Sequence, residues 1–382
     1  MLTRRSFRIV LLVLTSLSLW LLLQSLPVER IHHQLPTRSG SPAQVPLPPP
    51  PSSVSPQEAT AANDSSSSLA EFCGAHGYAP FHLPTAGAAD TGPRKVYDLF
   101  MINSELDFME LRLETLYDDV DYFVIVESAR TFQGRPKNLT IKTNWDRFKK
   151  YHKKLIYHQL EFPDDFAPKV TRDYEDLQRD STFTQVFPRL KGVKVPNKGD
   201  VIVVADVDEI PRPETIQLLR SCRFPRRLTL FSKFYYYSFQ FLHTGPEWPH
   251  PQATFYDGSN TITPTNLRHG IGGSYLQREF FEKGKLYNST WHCSSCFKTI
   301  DQFLDKLSSF SLIWMNDKKY RERDKIAKAV RDGKDLWGRK SETFTRIENN
   351  MDIPQPLKGI KAEKFAYMIS RDEESAGFSD YP

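Results

Sequence analysis

Residues 199–211 read GDVIVVADVDEIP, a continuous apolar run that ends in three acids. Apolar runs of this length predict a strand covered on both faces, and the ligands of open α/β sheets lie beyond the carboxyl ends of such strands. Side chains two residues apart point to the same side of an extended segment. We therefore predict that Asp206 and Asp208 converge on one divalent cation, Mn²⁺ or Mg²⁺, which prefers oxygen ligands.

The same acids have a simpler interpretation as helix caps. A helix is expected over 213–219, Pro211 and Pro213 suit a helix entrance, and acids are favoured at helix N-termini. The apolar strand before the acids and the α/β pattern of the remaining chain favour the metal site.

The composition indicates a globular protein with an appendage. The chain has 382 residues, of which 39% are hydrophobic, enough for one large domain or two modest ones. Its formal net charge of +5 is small for this length, and basic residues are interleaved with acids. The charge pattern therefore predicts no nucleic-acid partner.

The N-terminus carries a predicted membrane anchor. Three arginines, Arg4, Arg5 and Arg8, precede an uncharged, Leu-rich run over 9–26 that is about long enough to span a bilayer. Basic residues prefer the cytoplasmic side. We predict a cytoplasmic tail over 1–8 and an uncleaved signal-anchor helix, in preference to a cleaved signal peptide, so that the body enters the secretory pathway.

The segment over 27–93 is rich in Pro and Ser and predicts a disordered luminal stem, followed by a catalytic domain over 94–382. The less polar patch over 72–81 would join the body if Cys73 were bridged to Cys222. The chain has four cysteines, and an even number in an oxidising compartment favours disulfides, whose pairing the sequence leaves open.

From residue 96 onward strand and helix patterns alternate, which predicts an α/β, Rossmann-type sandwich. The predicted strands are 96–102, 122–127, 155–160, 201–205 and 228–241, and the predicted helices are 106–116, 174–187, 214–222, 302–310 and 323–330. The sequence contains neither a G-x-G-x-x-G loop nor a Walker loop. A metal held by Asp206 and Asp208 is the predicted substitute for a phosphate loop.

Several longer motifs follow one another in order along the body. They are Val96–Phe100, Asn103–Asp107, Arg112-Leu113, Val120–Ser128, Thr131–Lys137, Gln178-Arg179, Gly199–Pro213, Tyr237–Phe239 and Trp291–Phe297. In type and order they resemble the motifs of glycosyltransferase family 17, over about 96–333.

The resemblance implies a fold of the GT-A type, a type II Golgi membrane protein with a luminal domain, and Mn²⁺ as the usual metal. It also implies transfer of GlcNAc from the donor UDP-GlcNAc, with inversion, in β-1,4 linkage to a mannose of a glycoprotein N-glycan. Asn288-Ser289-Thr290 stands where the family has Asp-Ala-Gly, which leaves the acceptor open. Other hypotheses keep the fold with a different donor or acceptor, or with glycan binding and no turnover.

An inverting transfer needs a base to take the proton of the acceptor hydroxyl. The catalytic candidates are Asp208, Glu209 and Glu127, with Glu279 and Asp301 as further possible bases. Glu127 has an alternative role in binding ribose or bracing the sheet. Glu209 has an alternative role in orienting Asp208 or capping the next helix.

The predicted diphosphate contacts are Arg112, Arg179 and His292, because guanidinium groups bind such oxygens in a bidentate way and a neutral imidazole can contact phosphate or metal. A buried ion pair for Arg112 and a structural hydrogen bond for His292 are the alternatives. Trp248 and the tyrosines at 235–237 are either sugar-stacking residues or core. The acceptor pocket is predicted in loops between 246 and 278.

Overall fold

The computed structural model describes residues 61–82, 93–309 and 313–382. The predicted cytoplasmic tail, the predicted anchor over 9–26 and most of the predicted stem lie outside these residues. Among the helices that are described, none has both the length and the apolar character needed to cross a membrane.

Within these residues the strands form one mixed sheet. They are β1 (Val96–Met101), β2 (Tyr122–Glu127), β3 (Leu155–Gln159), β4 (Val201–Asp206), β5 (Glu209–Pro211), β6 (Arg227–Tyr236), β7 (Ser238–His243), β8 (Gln252–Phe255), β9 (Lys283–Ser294) and β10 (Phe344–Arg346). The strand order is β10-β7-β6-β8-β4-β1-β2-β3, and β9 pairs with both β5 and β6.

The α-helices of the described chain surround this sheet. They are α1 (Ala61–Gly74), α2 (Leu106–Leu116), α3 (Thr140–Thr143), α4 (Thr171–Ser181), α5 (Pro213–Ser221), α6 (Pro264–His269), α7 (Tyr275–Gln277), α8 (Ile300–Ser309), α9 (Arg323–Arg331) and α10 (Ala366–Ile369). Among the shorter turns, Thr182–Val186 and Arg278–Glu282 are π-helical and Trp145–Tyr151 is a 3₁₀ helix.

The parallel half of the sheet is covered on both faces, as the continuous apolar runs predict. Along β4, the side chains of 201, 203 and 205 pack into the core under α2, and Ile202 and Val204 pack into a second core beside Leu177 of α4. The α/β class and the positions of β1, β2 and β4 are therefore confirmed, within one residue at each end.

The register of the parallel strands places the acid-bearing end of β4. Strands β1 and β4 pair in parallel, and Met101 at the end of β1 lies opposite Asp206 at the end of β4. Because the carboxyl ends of parallel strands share one edge, the loops after β1 and β4 meet above that edge.

Two predicted elements are interrupted in the structure. The predicted helix over 174–187 is regular only as far as Ser181 and continues as the π turn that begins at Thr182. The predicted strand over 228–241 breaks at Tyr237, whose φ of 64° reverses the chain between β6 and β7. The break is tertiary in origin, because the buried phenol of Tyr237 donates to the carbonyl of Lys334.

The segment over 246–278, predicted to be loops, contains β8 and α6. Strand β8 pairs antiparallel with β4, with Phe255 opposite Val201. The edge of β4 imposes the strand conformation here, so local propensity gave little indication of it.

The body also extends further toward the N-terminus than the predicted boundary at residue 94. A disulfide joins Cys73 of α1 to Cys222, which follows α5. Next to it the backbone N–H of Phe81 donates to the carbonyl of Ser221 over 2.8 Å, and Arg94 covers the Phe81 ring at 3.9 Å. The patch over 72–81 is therefore part of the body. A second disulfide joins Cys293 and Cys296.

Candidate active site

A cavity of about 280 Å³ lies at the carboxyl end of β4. Its lining includes six acids, which are Glu105, Glu175, Asp206, Asp208, Glu209 and Glu342. It also includes the aromatic residues Phe132, Phe234, Tyr236, Trp248 and Trp337. The carboxylates suit a ligand that is polar or brings a cation, and the aromatic rings suit the apolar face of a sugar.

The acidic turn between β4 and β5 is held from below by Arg112. This side chain is fully buried and pairs with both oxygens of Asp98, at 2.7 and 2.6 Å. Its remaining guanidinium nitrogen donates to the backbone carbonyls of Asp206 and Glu209, at 3.1 and 2.6 Å. Arg112 therefore fixes the path of the turn by binding the backbone carbonyls of the turn. Its hydrogen bonds go to Asp98 and to these carbonyls, below the cavity.

Arg268 of α6 supplies the main positive charge beside the turn. It donates to both oxygens of Glu209, at 2.6 and 2.8 Å, and to Asp206 at 2.8 Å. Burial opposes ionisation of both carboxyls, but Arg268 outweighs it and holds the pKa of Glu209 and that of Asp206 below their usual values. Glu209 also accepts from the indole N–H of Trp248 at 2.8 Å and from the backbone N–H of Asp206.

Asp208 has weaker charge partners than its neighbours. Burial raises the pKa of its carboxyl, and the opposing effects of His292 and Lys306 are smaller. The Nδ1 atom of His292 lies 3.7 Å from the carboxylate of Asp208 and 3.4 Å from its carbonyl oxygen. The imidazole packs against Phe234 and Trp248, with ring centroids 5.0 and 5.4 Å away, and these two rings also contact each other at 5.7 Å.

The two aspartates are a suitable partial ligand set for a hard divalent cation. Both line one cavity, and Asp208 has no arginine in contact with it among the described residues. The same residues contain no group of three or more His, Cys, Asp or Glu side chains arranged to hold a metal. A cation here would thus complete its coordination with water and substrate phosphates, the arrangement usual for Mg²⁺.

Comparison with known proteins decides the family. The sequence profile of glycosyltransferase family 17 matches residues 7–359. The chain belongs to glycosyltransferase family 17. The match confirms the resemblance carried by the motifs.

Curated relatives of this family 17 chain include two mammalian enzymes. The beta-1,4-mannosyl-glycoprotein 4-beta-N-acetylglucosaminyltransferase of Rattus norvegicus is 26% identical over 239 residues, which cover 54% of this chain and 41% of that protein. The Homo sapiens protein of the same name is 25% identical over the same length and the same shares. The chain thus spans about two-fifths of the length of the curated relatives it matches.

Of the three predicted diphosphate contacts in this family 17 chain, one lines the cavity, one lies at its edge beside Asp206 and one lies beneath the acidic turn. His292 lines the cavity, and Arg179 reaches Asp206 at 3.3 Å while pairing with Glu175 at 2.8 Å. Within the part of the chain that the structure describes, the buried Nε of Arg179 has no hydrogen-bond partner. Arg112 lies under the turn, which agrees with its alternative interpretation as a buried ion pair.

Three of the candidate bases lie outside the cavity lining. Glu127 is fully buried, and its carboxylate accepts from the backbone N–H of Ile141 at the start of α3 and from the phenol of Tyr157, at 2.8 Å each. This agrees with the bracing role. Glu279 pairs with neighbouring cations at the surface, and the Asp301 side chain is 74% exposed.

The predicted stacking residues divide into two groups. Trp248 and Tyr236 both line the cavity, but Tyr236 is 5% exposed and stacks on Phe344 in the core, which leaves Trp248 as the candidate for a sugar face. Tyr235 and Tyr237 are no more than 1% exposed and belong to the core, as their alternative interpretation holds.

The sequence interpretation missed Arg268, the residue with the largest electrostatic effect on the acidic turn. Its helix nevertheless had local signals, since Thr263-Pro264 suits a helix start and Gly270 adopts a φ of 64° at the helix end. No motif marked the arginine as a partner of Asp206, because the two are brought together only by the packing of α6 beside β4.

Proposed function

We propose that this family 17 chain transfers GlcNAc from UDP-GlcNAc, with inversion, in β-1,4 linkage to a mannose of a glycoprotein N-glycan. The observation that carries the proposal is the acidic turn with Asp206 and Asp208, which opens into an aromatic-walled cavity at the carboxyl end of β4. The names of the two curated relatives support the choice of sugar, linkage and acceptor.

Asp206 and Asp208 would hold Mn²⁺ or Mg²⁺. Such a cation acts as a Lewis acid that neutralises the charge of a leaving diphosphate. Arg268 keeps Asp206 ionised, and Arg112 keeps the turn in place through the backbone, so both support the ligand geometry without joining it.

The cavity walls would then orient the sugars. The indole of Trp248 is fixed by its hydrogen bond to Glu209, so one aromatic face is presented in a defined direction. Fixed aromatic faces bind the apolar side of a hexose with little loss of conformational freedom. His292, stacked against Trp248, places its Nδ1 edge beside Asp208, where donor phosphates would lie.

We further propose a single-pass type II protein of the Golgi membrane with this body in the lumen. The two disulfides in the described residues support an oxidising compartment. The anchor over 9–26 remains a prediction from the sequence.

A donor-hydrolysis screen tests the proposal. The purified protein would be offered UDP-sugars and GDP-sugars with Mn²⁺ and with EDTA, beside Asp208→Asn and a matched control, Asp301→Asn. We expect UDP release from UDP-GlcNAc that requires Mn²⁺, falls at least 100-fold in Asp208→Asn and is unchanged in Asp301→Asn, whose side chain is outside the cavity.

Each other result has its own meaning. Metal-dependent release from another nucleotide sugar would replace the donor, and equal release by wild type and Asp208→Asn would remove the proposed metal site. No release from any donor, with or without a biantennary N-glycan, would favour a glycan-binding protein without turnover.

A further inference from the structure

The acids of the cavity differ in their charge partners. Four of the six are paired with a lysine or an arginine. These pairs are Glu105 with Lys306 at 2.9 Å, Glu175 with Arg179 at 2.8 Å, Asp206 with Arg268 at 2.8 Å and Glu209 with Arg268 at 2.6 Å. A cation at this distance stabilises the ionised form and makes a carboxylate a weaker base. Among the described residues, Asp208 and Glu342 are left without such a pair.

We propose that Glu342 is the general base of the transfer. This inference rests on the proposed function, in which Asp208 is committed to the cation. Glu342 lines the cavity with 21% of its side chain exposed, and among the described residues no arginine or lysine lies at ion-pair distance from it. The guanidinium of Arg339, which pairs with Asp335, acts on Glu342 only at longer range.

The local fold holds Glu342 against a histidine. Strand β10 pairs with β7 so that Phe344 lies opposite His243, and the carbonyl of Thr343 accepts from the N–H of Thr244 at 2.9 Å. This pairing brings an oxygen of Glu342 to 3.3 Å from Nε2 of His243. The base therefore lies two residues before β10, in a segment held by the pairing of Thr343 with Thr244.

His243 gives the accepted proton a further destination. Its side chain is 10% exposed, and neither ring nitrogen makes a well-aligned hydrogen bond within the described residues. An imidazole with an uncommitted nitrogen can accept a proton. We infer that Glu342 and His243 share the proton until it leaves to water.

Phe234 contacts the histidines beside the proposed cation and the proposed base. Its ring centroid is 5.2 Å from that of His243 and 5.0 Å from that of His292, so the two imidazoles are at most about 10 Å apart. In the proposed function the diphosphate lies beside His292 and Asp208. Because inversion requires the attacking oxygen and its base on the face opposite the leaving group, the proposal requires the acceptor hydroxyl to enter from the side of Glu342.

The step conserves atoms and charge. The acceptor oxygen forms a bond to the anomeric carbon while the bond from that carbon to the diphosphate oxygen breaks and its electron pair leaves with UDP. The acceptor O–H bond breaks, and the proton passes to the carboxylate of Glu342. No oxidant, reductant or further reactant is needed.

The test compares Glu342→Gln and Glu342→Asp with a matched control, Glu348→Gln, whose side chain is 69% exposed and pairs with Arg346. Transfer from UDP-GlcNAc to a biantennary N-glycan would be measured across pH, and UDP-GlcNAc binding by the Mn²⁺-dependent shift in melting temperature. We expect kcat in Glu342→Gln to fall 100- to 10,000-fold, with donor Kd within about twofold of wild type.

The pH profile separates a base from a positioning residue. The decline of wild-type kcat at acid pH should be absent from the residual activity of Glu342→Gln, and Glu342→Asp should retain that decline with an intermediate rate. Glu348→Gln should behave as wild type.

The outcomes are distinguishable from those of the proposed function. If wild type transfers GlcNAc and Glu342→Gln keeps kcat within about fivefold, the base is elsewhere and the function stands. Loss of donor binding together with transfer in Glu342→Gln would assign Glu342 to support of the donor site and overturn the proposal. Failure of wild type to transfer would overturn the proposed function itself.

Discussion

The pair between Glu105 and Lys306 offers a direct test of how charge stabilises the site. Glu105 precedes α2, and its side chain is 4% exposed. One carboxylate oxygen accepts from Lys306 at 2.9 Å, and the other accepts from the backbone N–H groups of Asn103 and Ser104. The change Glu105→Gln keeps a carbonyl acceptor for those N–H groups, removes the negative charge and turns an amide donor toward Lys306 in place of the carboxylate acceptor.

The pKa of Glu105 gives the magnitude. Burial opposes ionisation, but Lys306 and the two backbone donors prevail and lower the pKa from 4.5 to about 2. This difference corresponds to about 3 kcal/mol of stability in the ionised state, against at most about 1 kcal/mol for an ordinary exposed pair. Since the folded pKa is depressed, the contribution is complete above about pH 4.5 and is lost as the pH falls toward 2.

Denaturant titration under non-reducing conditions measures the effect. We expect Glu105→Gln to lower the free energy of unfolding by about 3 kcal/mol at pH 7 and by about 1 kcal/mol at pH 3. The matched control is Glu161→Gln, which breaks an exposed pair with Arg189 and should leave stability essentially unchanged. The reasoning fails if the two substitutions cost the same at pH 7, or if the cost of Glu105→Gln is equal at the two pH values.

Two further sets of substitutions test the buried charges beside the acidic turn and the disulfide that joins the N-terminal segment to the body. Arg268→Leu should lower the free energy of unfolding by about 3–5 kcal/mol, because it leaves Glu209 buried and unpaired, and adding Glu209→Gln should restore part of it. An additive double variant in denaturant titration would contradict this. Replacing both cysteines of the Cys73–Cys222 disulfide, which are 149 residues apart, should cost about 5 kcal/mol by loop-closure entropy, and replacing those of the three-residue Cys293–Cys296 disulfide clearly less. Equal losses in thermal unfolding would refute the loop-closure argument.

The parts of the fold that the sequence predicted are those with strong local patterns. The apolar runs of β1, β2 and β4 are buried on both faces, so periodicity and burial agree. The predicted ends of elements were wrong where tertiary contacts decide the backbone conformation. Tyr237 is an example, since it has a positive φ and its hydroxyl donates to the carbonyl of Lys334. Strand β8 has a mixed composition and exists because it pairs with the edge of β4.

The residues of the candidate site that the sequence predicted are likewise those in strong local motifs. Asp206, Asp208 and His292 lie in long motifs, and all three line the cavity. The alternatives for Glu127 and Arg112 depended on burial, which a single sequence does not give. Arg268 and Glu342 lie in segments without a motif. Only the packing of α6 brings Arg268 to the acidic turn, and only the pairing of β10 brings Glu342 to the cavity.

One strand register explains why two distant motifs act as one site. Strand β5 pairs antiparallel with β9 so that Glu209 lies opposite His292, which joins the acidic turn to the Trp291–Phe297 block. A shift of one residue would turn His292 to the other face of the sheet and away from Asp208. The register is fixed nearby, since Asn288 takes a φ of 51° and its side-chain oxygen accepts from Arg212 at 2.7 Å. Asn288 also begins the Asn288-Ser289-Thr290 segment, where the resemblance leads us to expect Asp-Ala-Gly, and we expect a substitution at Asn288 to act on the site through the register of β9.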